Sequence, residues 1–195
     1  MEFINEEPKQ IDYALKILIL GKEKIGRSIF AQRLNINNNS KEFFNLDYLS
    51  HIRTIGVNYL MKYIKVHNKI FKCNIFDTSG DVKFANILYI YFKNANVILL
   101  FYDAFDRSSF QKIKDIYYQN RNIPNCIFAL IRSKYELSIQ SQNNDYVSDE
   151  EAMEYADKNN MLFTHISSFE KYDNGIEKLL NSIVIEYLCQ NSTNN

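Results

Sequence analysis

An apolar run that ends at a glycine-bounded loop is the feature that most restricts the fold of this chain. Residues 13–20 form a mostly apolar stretch, and Gly21 closes it. Such a run is typical of a strand that is buried on both faces of a sheet. Residues 21–28 then read G-K-E-K-I-G-R-S, and a helix is predicted over residues 27–34. The order strand, loop, helix is the context in which a glycine loop can surround a phosphate group.

The rest of the chain continues this alternation of strands and helices. Residues 57–66 and 70–76 are predicted to form an antiparallel hairpin around the turn at 67–69. The other predicted strands are 97–102, 126–131 and 162–165, and the other predicted helices are 84–92, 109–118, 149–158 and 175–188. This order predicts an α/β fold with a six-stranded, mostly parallel sheet, one antiparallel edge strand and helices on both faces.

Composition limits the number of domains and the kinds of partner. A chain of 195 residues suits one domain, predicted over residues 12–188, between a polar N-terminal lead at 1–11 and a short polar tail at 189–195. Its 23 basic and 23 acidic residues create no overall field toward nucleic acid or an anionic membrane. No apolar run approaches the roughly 20 residues that span a bilayer. We therefore expect a cytoplasmic monomer that has no nucleic-acid partner.

The loop at residues 21–28, which we call the glycine loop, carries the first chemical signal. Gly21 and Gly26 allow the chain to curl so that backbone N–H groups can surround a phosphate, and the Ser28 hydroxyl can bind Mg²⁺. Arg27 stands where this kind of loop usually has lysine. The loop alone is equally compatible with an ordinary turn between a strand and a helix.

Three further segments, in a fixed order along the chain, decide between these interpretations. They are Thr54-Ile55-Gly56-Val57, Asp77-Thr78-Ser79-Gly80 and Tyr102-Asp103-Ala104-Phe105-Asp106-Arg107-Ser108-Ser109-Phe110. With the glycine loop, they resemble the Ras superfamily of small GTPases, closest to the Rab branch, over about residues 13–187. The resemblance implies the P-loop G-domain fold and a protein that binds GTP or GDP together with Mg²⁺.

The resemblance also implies the roles of individual residues at the phosphate end of the site. Ser28 and Thr54 would bind Mg²⁺ through their hydroxyls, Asp77 would hold the ion through water, and the Gly80 N–H would contact the third phosphate. The implied nucleotide-binding residues at this end are Gly21, Lys24, Ile25, Gly26, Arg27, Ser28, Ile29, Thr54 and Gly80. Residues 39–55 and 80–91 would form two switch segments that bind effector and regulator proteins.

Two candidate catalytic residues depart from the family pattern. Arg27 keeps the charge of the usual lysine but not its shape, so affinity should fall, and we hypothesise that Lys24 shares the phosphate contact. Asp81 stands where the family has the glutamine that orients the attacking water. A carboxylate only accepts hydrogen bonds and brings negative charge toward the phosphates, so hydrolysis should be very slow. The alternatives are that Asp81 acts as a base or is simply a solvated acidic helix start.

The base-recognition segments are less well preserved. The pattern N-K-x-D falls on Ser133, Lys134, Tyr135 and Glu136, and the pattern S-A-K falls on Ser167, Ser168 and Phe169. The resemblance implies a preference for guanine, because Lys134 is unchanged and Glu136 keeps a carboxylate that could accept hydrogen bonds from the base. Loss of the asparagine amide predicts weaker selectivity against other purines, because selectivity depends on pairing polar groups with the right base.

The two ends of the chain show no pattern for a direct lipid anchor. The sequence after Cys189 is not a prenylation pattern, and Glu2 replaces the glycine that myristoylation needs. Either the chain is truncated, or the protein acts from the cytosol or reaches intracellular membranes through a partner. For Cys189 the alternatives are a palmitoylation site and, favoured here, a plain thiol at a helix end.

Two functional hypotheses follow from the sequence. The first is a Rab-like switch with slow or absent GTP hydrolysis that regulates vesicle traffic through effectors. The alternative is a pseudo-GTPase scaffold that binds nucleotide constitutively or not at all.

Overall fold

The computed structural model describes residues 1–4, 6–35, 54–80, 90–133, 145–166 and 175–192. The strands are β1 (Glu2–Ile4), β2 (Tyr13–Gly21), β3 (Val57–Val66), β4 (Lys69–Thr78), β5 (Val97–Asp103), β6 (Ile127–Ser133) and β7 (Leu162–Ile166). The helices are α1 (Arg27–Asn35), α2 (Arg107–Asn120), α3 (Asp149–Lys158) and α4 (Gly175–Ser192). The strands form one sheet in the order β1-β3-β4-β2-β5-β6-β7.

The carboxyl ends of the parallel strands meet at one edge of the sheet. Asp77 in β4 pairs with Ile19 in β2, and Asp103 in β5 pairs with Ser133 in β6. Ser133 in turn pairs with Ile166 at the end of β7. Because ligands of open parallel sheets bind at this edge, the fold places the predicted site residues where a ligand is expected.

The sheet has seven described strands where the sequence predicted six. The additional strand, β1, lies in the segment predicted as a polar lead and pairs antiparallel with Tyr63–Lys65 of β3. The Lys62 Nζ atom lies 5.3 Å from the centre of the Phe3 ring, and the Tyr63 hydroxyl donates to a Glu7 carboxylate oxygen at 3.1 Å. The prediction made the antiparallel strand β3 the edge strand of the sheet. In the structure, β1 covers part of the outer edge of β3.

Two helices extend beyond their predicted bounds. Helix α2 begins before the predicted residue 109 because the Asp106 side chain accepts from the Ser109 N–H at 3.2 Å. Helix α4 continues beyond the predicted end at residue 188. The Ser192 hydroxyl donates there to the Leu188 carbonyl oxygen at 2.8 Å. The predicted helix at 84–92 lies mostly outside the described residues.

Two apolar layers sandwich the sheet. Leu15, Ile17 and Ile19 face the layer that contains α1 and α4, whereas Leu18 and Leu20 face the layer that contains α2. Burial of each such side chain contributes about 1.5 to 3 kcal/mol. Among the described helices, none is both long enough and apolar enough to cross a bilayer. Strand β2 is thus held between helices on both faces of the sheet. The glycine loop follows directly from this strand.

Candidate functional site

Three oxygen-bearing side chains meet near the carboxyl ends of β2 and β4. The Ser28 Oγ and Thr54 Oγ1 atoms lie 2.8 Å apart, and the Thr54 hydroxyl donates to Asp77 Oδ2 at 3.3 Å. The backbone holds the Thr54 segment in place, because the Ser79 N–H donates to the Gly56 carbonyl oxygen at 2.7 Å. The structure therefore brings together the residues that the resemblance assigned to Mg²⁺, and we call them the oxygen corner.

The Asp77 carboxyl group is fully buried. Burial raises its pKa above the ordinary value, and this rise is opposed by hydrogen bonding from Ser28, the charge of Arg27 and hydrogen bonding from Thr54. Its Oδ1 atom accepts no hydrogen bond within the described part of the chain. A buried carboxylate oxygen is costly unless a cation or a donor satisfies it. A hard cation with a preference for oxygen ligands fits this position.

The composition of the oxygen corner suits an ion that is shared with a phosphate group. In the described ranges, no three histidine, cysteine, aspartate or glutamate side chains come together as a metal site. Two hydroxyls and one carboxylate are too few for a cage made of protein alone. Because Mg²⁺ usually keeps several waters and binds one or two carboxylates plus substrate phosphates, the residues present fit this ion.

The glycine loop is shaped by close packing and by left-handed backbone positions. A Cβ atom on Gly21 would lie 2.6 Å from the Phe101 carbonyl oxygen, so only glycine fits there. Gly26 has a φ of 89° and Lys24 has a φ of 60°, while Ile25 is buried beneath the loop. Left-handed positions of this kind turn successive N–H groups toward one side, which is the geometry that binds phosphate.

Arg27 begins α1 and contacts the end of β4. Its side chain is 6% exposed, and its Nη1 atom donates to the carbonyl oxygen of Thr78 and, at 3.4 Å, to the Thr78 hydroxyl. Burial lowers the pKa of the guanidinium group, and the charges of Asp77 and Glu23 oppose this shift. The side chain predicted to contact phosphate is thus engaged with β4. Lys24, its predicted co-ligand, is exposed, and Ile29 is half-buried in α1.

Gly80 follows β4 and packs directly against the glycine loop. A Cβ atom on Gly80 would lie 2.5 Å from the Glu23 backbone nitrogen, 2.8 Å from the Lys22 carbonyl carbon and 2.8 Å from Arg27 Nη2. Real Cβ atoms essentially never approach backbone this closely, so a glycine is required for this contact. The backbone at Gly80 therefore lies beside the loop that is predicted to hold the phosphates.

Two lysines that the sequence prediction did not assign connect this region to α2. Lys22 Nζ donates to Asp106 Oδ2 at 2.7 Å and contacts Ser108 Oγ at 2.9 Å. Lys112 Nζ donates to the Gly80 carbonyl oxygen at 3.0 Å. A lysine inside the glycine loop and an Asp-x-Ser sequence at the start of a helix were the available signals for the first contact. The second contact had no local signal, because it depends on how α2 packs.

On the side of the site that is predicted to recognise the base, the Ser133 hydroxyl is hydrogen-bonded to the main chain. This buried hydroxyl donates to the Tyr102 carbonyl oxygen at 2.8 Å. The preceding Arg132, which the prediction also missed, is buried and pairs through Nη1 with Asp149, while Nη2 donates to the Tyr146 hydroxyl at 3.2 Å. A single arginine directly after the predicted apolar strand at 126–131 was the signal for this cluster. The hydroxyl proton of Ser133 is therefore already donated to the neighbouring strand β5.

Several predicted site residues lie outside the described part of the chain. They are Asp81, Lys134, Glu136, Ser167, Ser168 and Phe169, and most of the switch segments 39–55 and 80–91 lies outside it as well. Lys134 and Ser167 follow Ser133 and Ile166, which pair in β6 and β7. The last described residues at the two base-recognition segments are thus paired in the sheet.

Tyr59, Phe76 and Tyr91 form an aromatic cluster. Tyr91 belongs to the switch segment 80–91, and Tyr59 follows the switch segment 39–55 by four residues. The ring centres are 5.3 Å apart for the Tyr59–Phe76 pair and 5.2 Å apart for the Phe76–Tyr91 pair. Tyr59 is 51% exposed, and the nearby chain positions Ile55 and Ile90 are 80% and 68% exposed. An aromatic cluster with one exposed ring is compatible with a protein interaction surface.

Comparison with known proteins gives the same assignment as the fold and the oxygen corner. The Ras family model matches residues 16–188. The Ras-related protein Rab-1 of Theileria parva is 30% identical over 178 residues, which cover 90% of this chain and 74% of that protein. The Ras-related protein Rab-11B of Dictyostelium discoideum is 29% identical over a match that covers 89% of this chain and 74% of that protein. The GTP-binding protein YPT1 of Saccharomyces cerevisiae is 28% identical over a match that covers 83% of this chain and 73% of that protein.

The family match covers the glycine loop, the oxygen corner and, from residue 16 in β2 onward, the parallel strands that carry them. The sheet order and the site geometry agree with it. The chain therefore belongs to the Ras family and is a Rab-like small GTPase.

Proposed function

We propose that this protein is a Mg²⁺-dependent guanine-nucleotide switch with slow or absent GTP hydrolysis, which acts in vesicle traffic through effector proteins. The observation that carries the proposal is the oxygen corner, in which the buried Asp77 carboxylate keeps one oxygen without a hydrogen-bond donor in the described part of the chain. Such a group destabilises the protein unless a cation completes it. The names of the Rab relatives support the functional class.

Each described residue of the site has a distinct part in the proposed binding. Ser28 and Thr54 direct hydroxyl oxygens at one point, and Asp77 adds charge behind them. These three residues would hold a Mg²⁺ ion, which would supply positive charge against the phosphates. Gly21 and Gly26 allow the loop to turn, and its N–H groups would hold the phosphates.

The proposed nucleotide affinity is lower than that of a site with lysine at position 27. The Arg27 guanidinium donates to Thr78 and lies beneath Gly80, so fewer of its N–H groups can reach a phosphate. Arginine retains a positive charge, and the field of that charge still favours a phosphate nearby. Lys24 is exposed at a left-handed position in the same loop, which supports its proposed share in phosphate binding.

The aromatic cluster supports binding of effector proteins through the two switch segments. The Phe76 ring contacts Tyr59, which follows the first segment by four residues, and Tyr91, which ends the second. Aromatic side chains contribute strongly to protein interfaces because they bury a large area with few rotatable bonds. We propose peripheral attachment to intracellular membranes through such partners.

Intrinsic hydrolysis is expected at or below about 10⁻⁴ per second, because Asp81 brings negative charge to the place of the water-positioning glutamine. The test is a single-turnover assay on protein loaded with GTP, in which loading is first confirmed with a fluorescent guanine nucleotide. Asp81→Gln is expected to raise the rate. Asp115→Asn removes a negative charge from α2 away from the oxygen corner and serves as the control, with an unchanged rate. A clearly faster wild-type rate would contradict slow hydrolysis.

The alternative function is a pseudo-GTPase scaffold, and two observations favour it. The Arg27 guanidinium donates a hydrogen bond to Thr78, and the Ser133 hydroxyl donates one to Tyr102. Two groups that were predicted to bind the nucleotide therefore already have hydrogen-bond partners within the protein. Failure to load any guanine nucleotide in the assay above would favour the scaffold.

A further inference from the structure

Helix α2 is held firmly against the body of the protein. Phe110 and Ile113 are buried in the core on one side of the sheet. At the start of the helix, the Arg107 guanidinium donates to both carboxylate oxygens of Glu151 in α3, at 2.8 Å and 2.9 Å. Paired hydrogen bonds of this kind fix orientation as well as distance. A side chain on α2 can therefore hold a neighbouring loop at a defined position.

Two lysines link this helix to both sides of the proposed phosphate site. Lys22 joins the glycine loop to Asp106 and Ser108 at the start of α2. One turn further along, Lys112 donates to the Gly80 carbonyl oxygen at 3.0 Å. Gly80 itself packs on the backbone of the glycine loop, so the contacts form a closed ring through α2, the loop and Gly80.

We propose that Lys112 is a positioning residue for the nucleotide switch, which holds Gly80 against the glycine loop and thereby favours a nucleoside triphosphate over a diphosphate. The inference rests on the proposed function, in which the Gly80 N–H contacts the third phosphate. A contact that holds Gly80 in place lowers the cost of ordering it, and this gain applies only to a ligand that uses the Gly80 N–H. The Lys112 contact is charge-assisted, which makes it stronger than a neutral hydrogen bond.

The test compares Lys112→Met with Lys114→Met. Lys114 lies on the same helix, but its Nζ atom lies over the Phe110 and Tyr155 rings, at 4.3 Å and 5.1 Å from their centres. For Lys112→Met, the dissociation rate of a fluorescent, non-hydrolysable GTP analogue is expected to rise about tenfold, the size expected for loss of one charged hydrogen bond. The GDP rate should stay nearly unchanged, and both rates should be nearly unchanged in Lys114→Met. Lys112→Arg, which keeps a charged donor, should recover part of the loss.

Amide hydrogen exchange provides a readout that needs no nucleotide. In the nucleotide-free protein, Lys112→Met should accelerate exchange in peptides that contain Gly80 and the glycine loop, whereas Lys114→Met should not. An equal rise in both dissociation rates, or unchanged exchange at Gly80, would overturn the inference while nucleotide binding remained intact. A wild-type protein that binds no guanine nucleotide would instead overturn the proposed function and, with it, the preference for a triphosphate.

Discussion

Asp77→Asn is expected to weaken Mg²⁺-dependent nucleotide binding by about 10- to 100-fold, as loss of a group in the outer shell of a metal typically does. The same substitution should stabilise the nucleotide-free protein. Both effects have one cause, because the buried Asp77 carboxylate is costly by itself and useful only beside a cation. Asparagine keeps the shape and removes the charge.

The pH dependence of stability gives this prediction a definite sign. Burial raises the pKa of Asp77 above its ordinary value of 3.8, so the unfolded chain ionises more readily than the folded one. The contribution of Asp77 to the free energy of unfolding therefore falls as the pH rises above about 4 and stops falling above the raised pKa. Asp77→Asn avoids this loss, so its advantage over the wild type should grow with pH in urea denaturation of nucleotide-free protein.

Asp12→Asn is the matched control for this substitution. Asp12 lies at the amino-terminal end of β2, where hydrogen bonds from the Ile70 N–H and from Lys69 lower its pKa. Its ionised form is therefore favoured by folding, and neutralising it should lower stability at neutral pH and leave nucleotide affinity unchanged. Equal Mg²⁺ dependence of nucleotide binding in Asp77→Asn and the wild type would contradict the role of the oxygen corner.

Gly21→Ala is expected to cost about 3 kcal/mol of folding stability, from overpacking together with backbone strain. The new Cβ atom would lie 2.6 Å from the Phe101 carbonyl oxygen and 2.6 Å from Ile25 Cδ1, at a φ of 155°. Gly21 pairs with Phe101 in the sheet, so the carbonyl oxygen cannot move away without breaking the pairing of β2 and β5. Urea denaturation with a thermal melt as a second probe measures the loss.

Gly56→Ala, measured in the same way, separates the cost of backbone strain from the cost of steric overlap. Gly56 has a φ of 72°, but a Cβ atom there meets nothing within 4 Å. The cost should then be only the left-handed strain of about 1 kcal/mol. Equal losses for the two substitutions would show that close packing at Gly21 does not hold the start of the glycine loop.

The sequence predicted the parts of the fold and site that depend on local patterns. The apolar run before Gly21 identified β2, and the family resemblance implied that Ser28, Thr54 and Asp77 would lie together. These predictions succeeded in placing the residues because the carboxyl ends of parallel strands share one edge of the sheet. Their role as Mg²⁺ ligands stays a prediction.

The features that the sequence did not predict depend on contacts between distant segments. Strand β1 is too short to show a periodic pattern and gains its stability from contacts with β3. The bonds from Lys112 to Gly80 and from Ser133 to Tyr102 follow from packing that no spacing along the chain encodes. Arg27 was expected to face phosphate, but its contact with Thr78 required knowledge of where β4 ends.

The most direct test of the proposed switch is to identify what the purified protein carries. Protein prepared with Mg²⁺ is denatured, and the released small molecules are separated by chromatography, beside a second preparation treated with a chelator. We predict a guanine nucleotide in stoichiometric amount from the first preparation and much less from the second. Protein that releases no nucleotide and also fails to bind added GDP or GTP in the presence of Mg²⁺ would contradict the account.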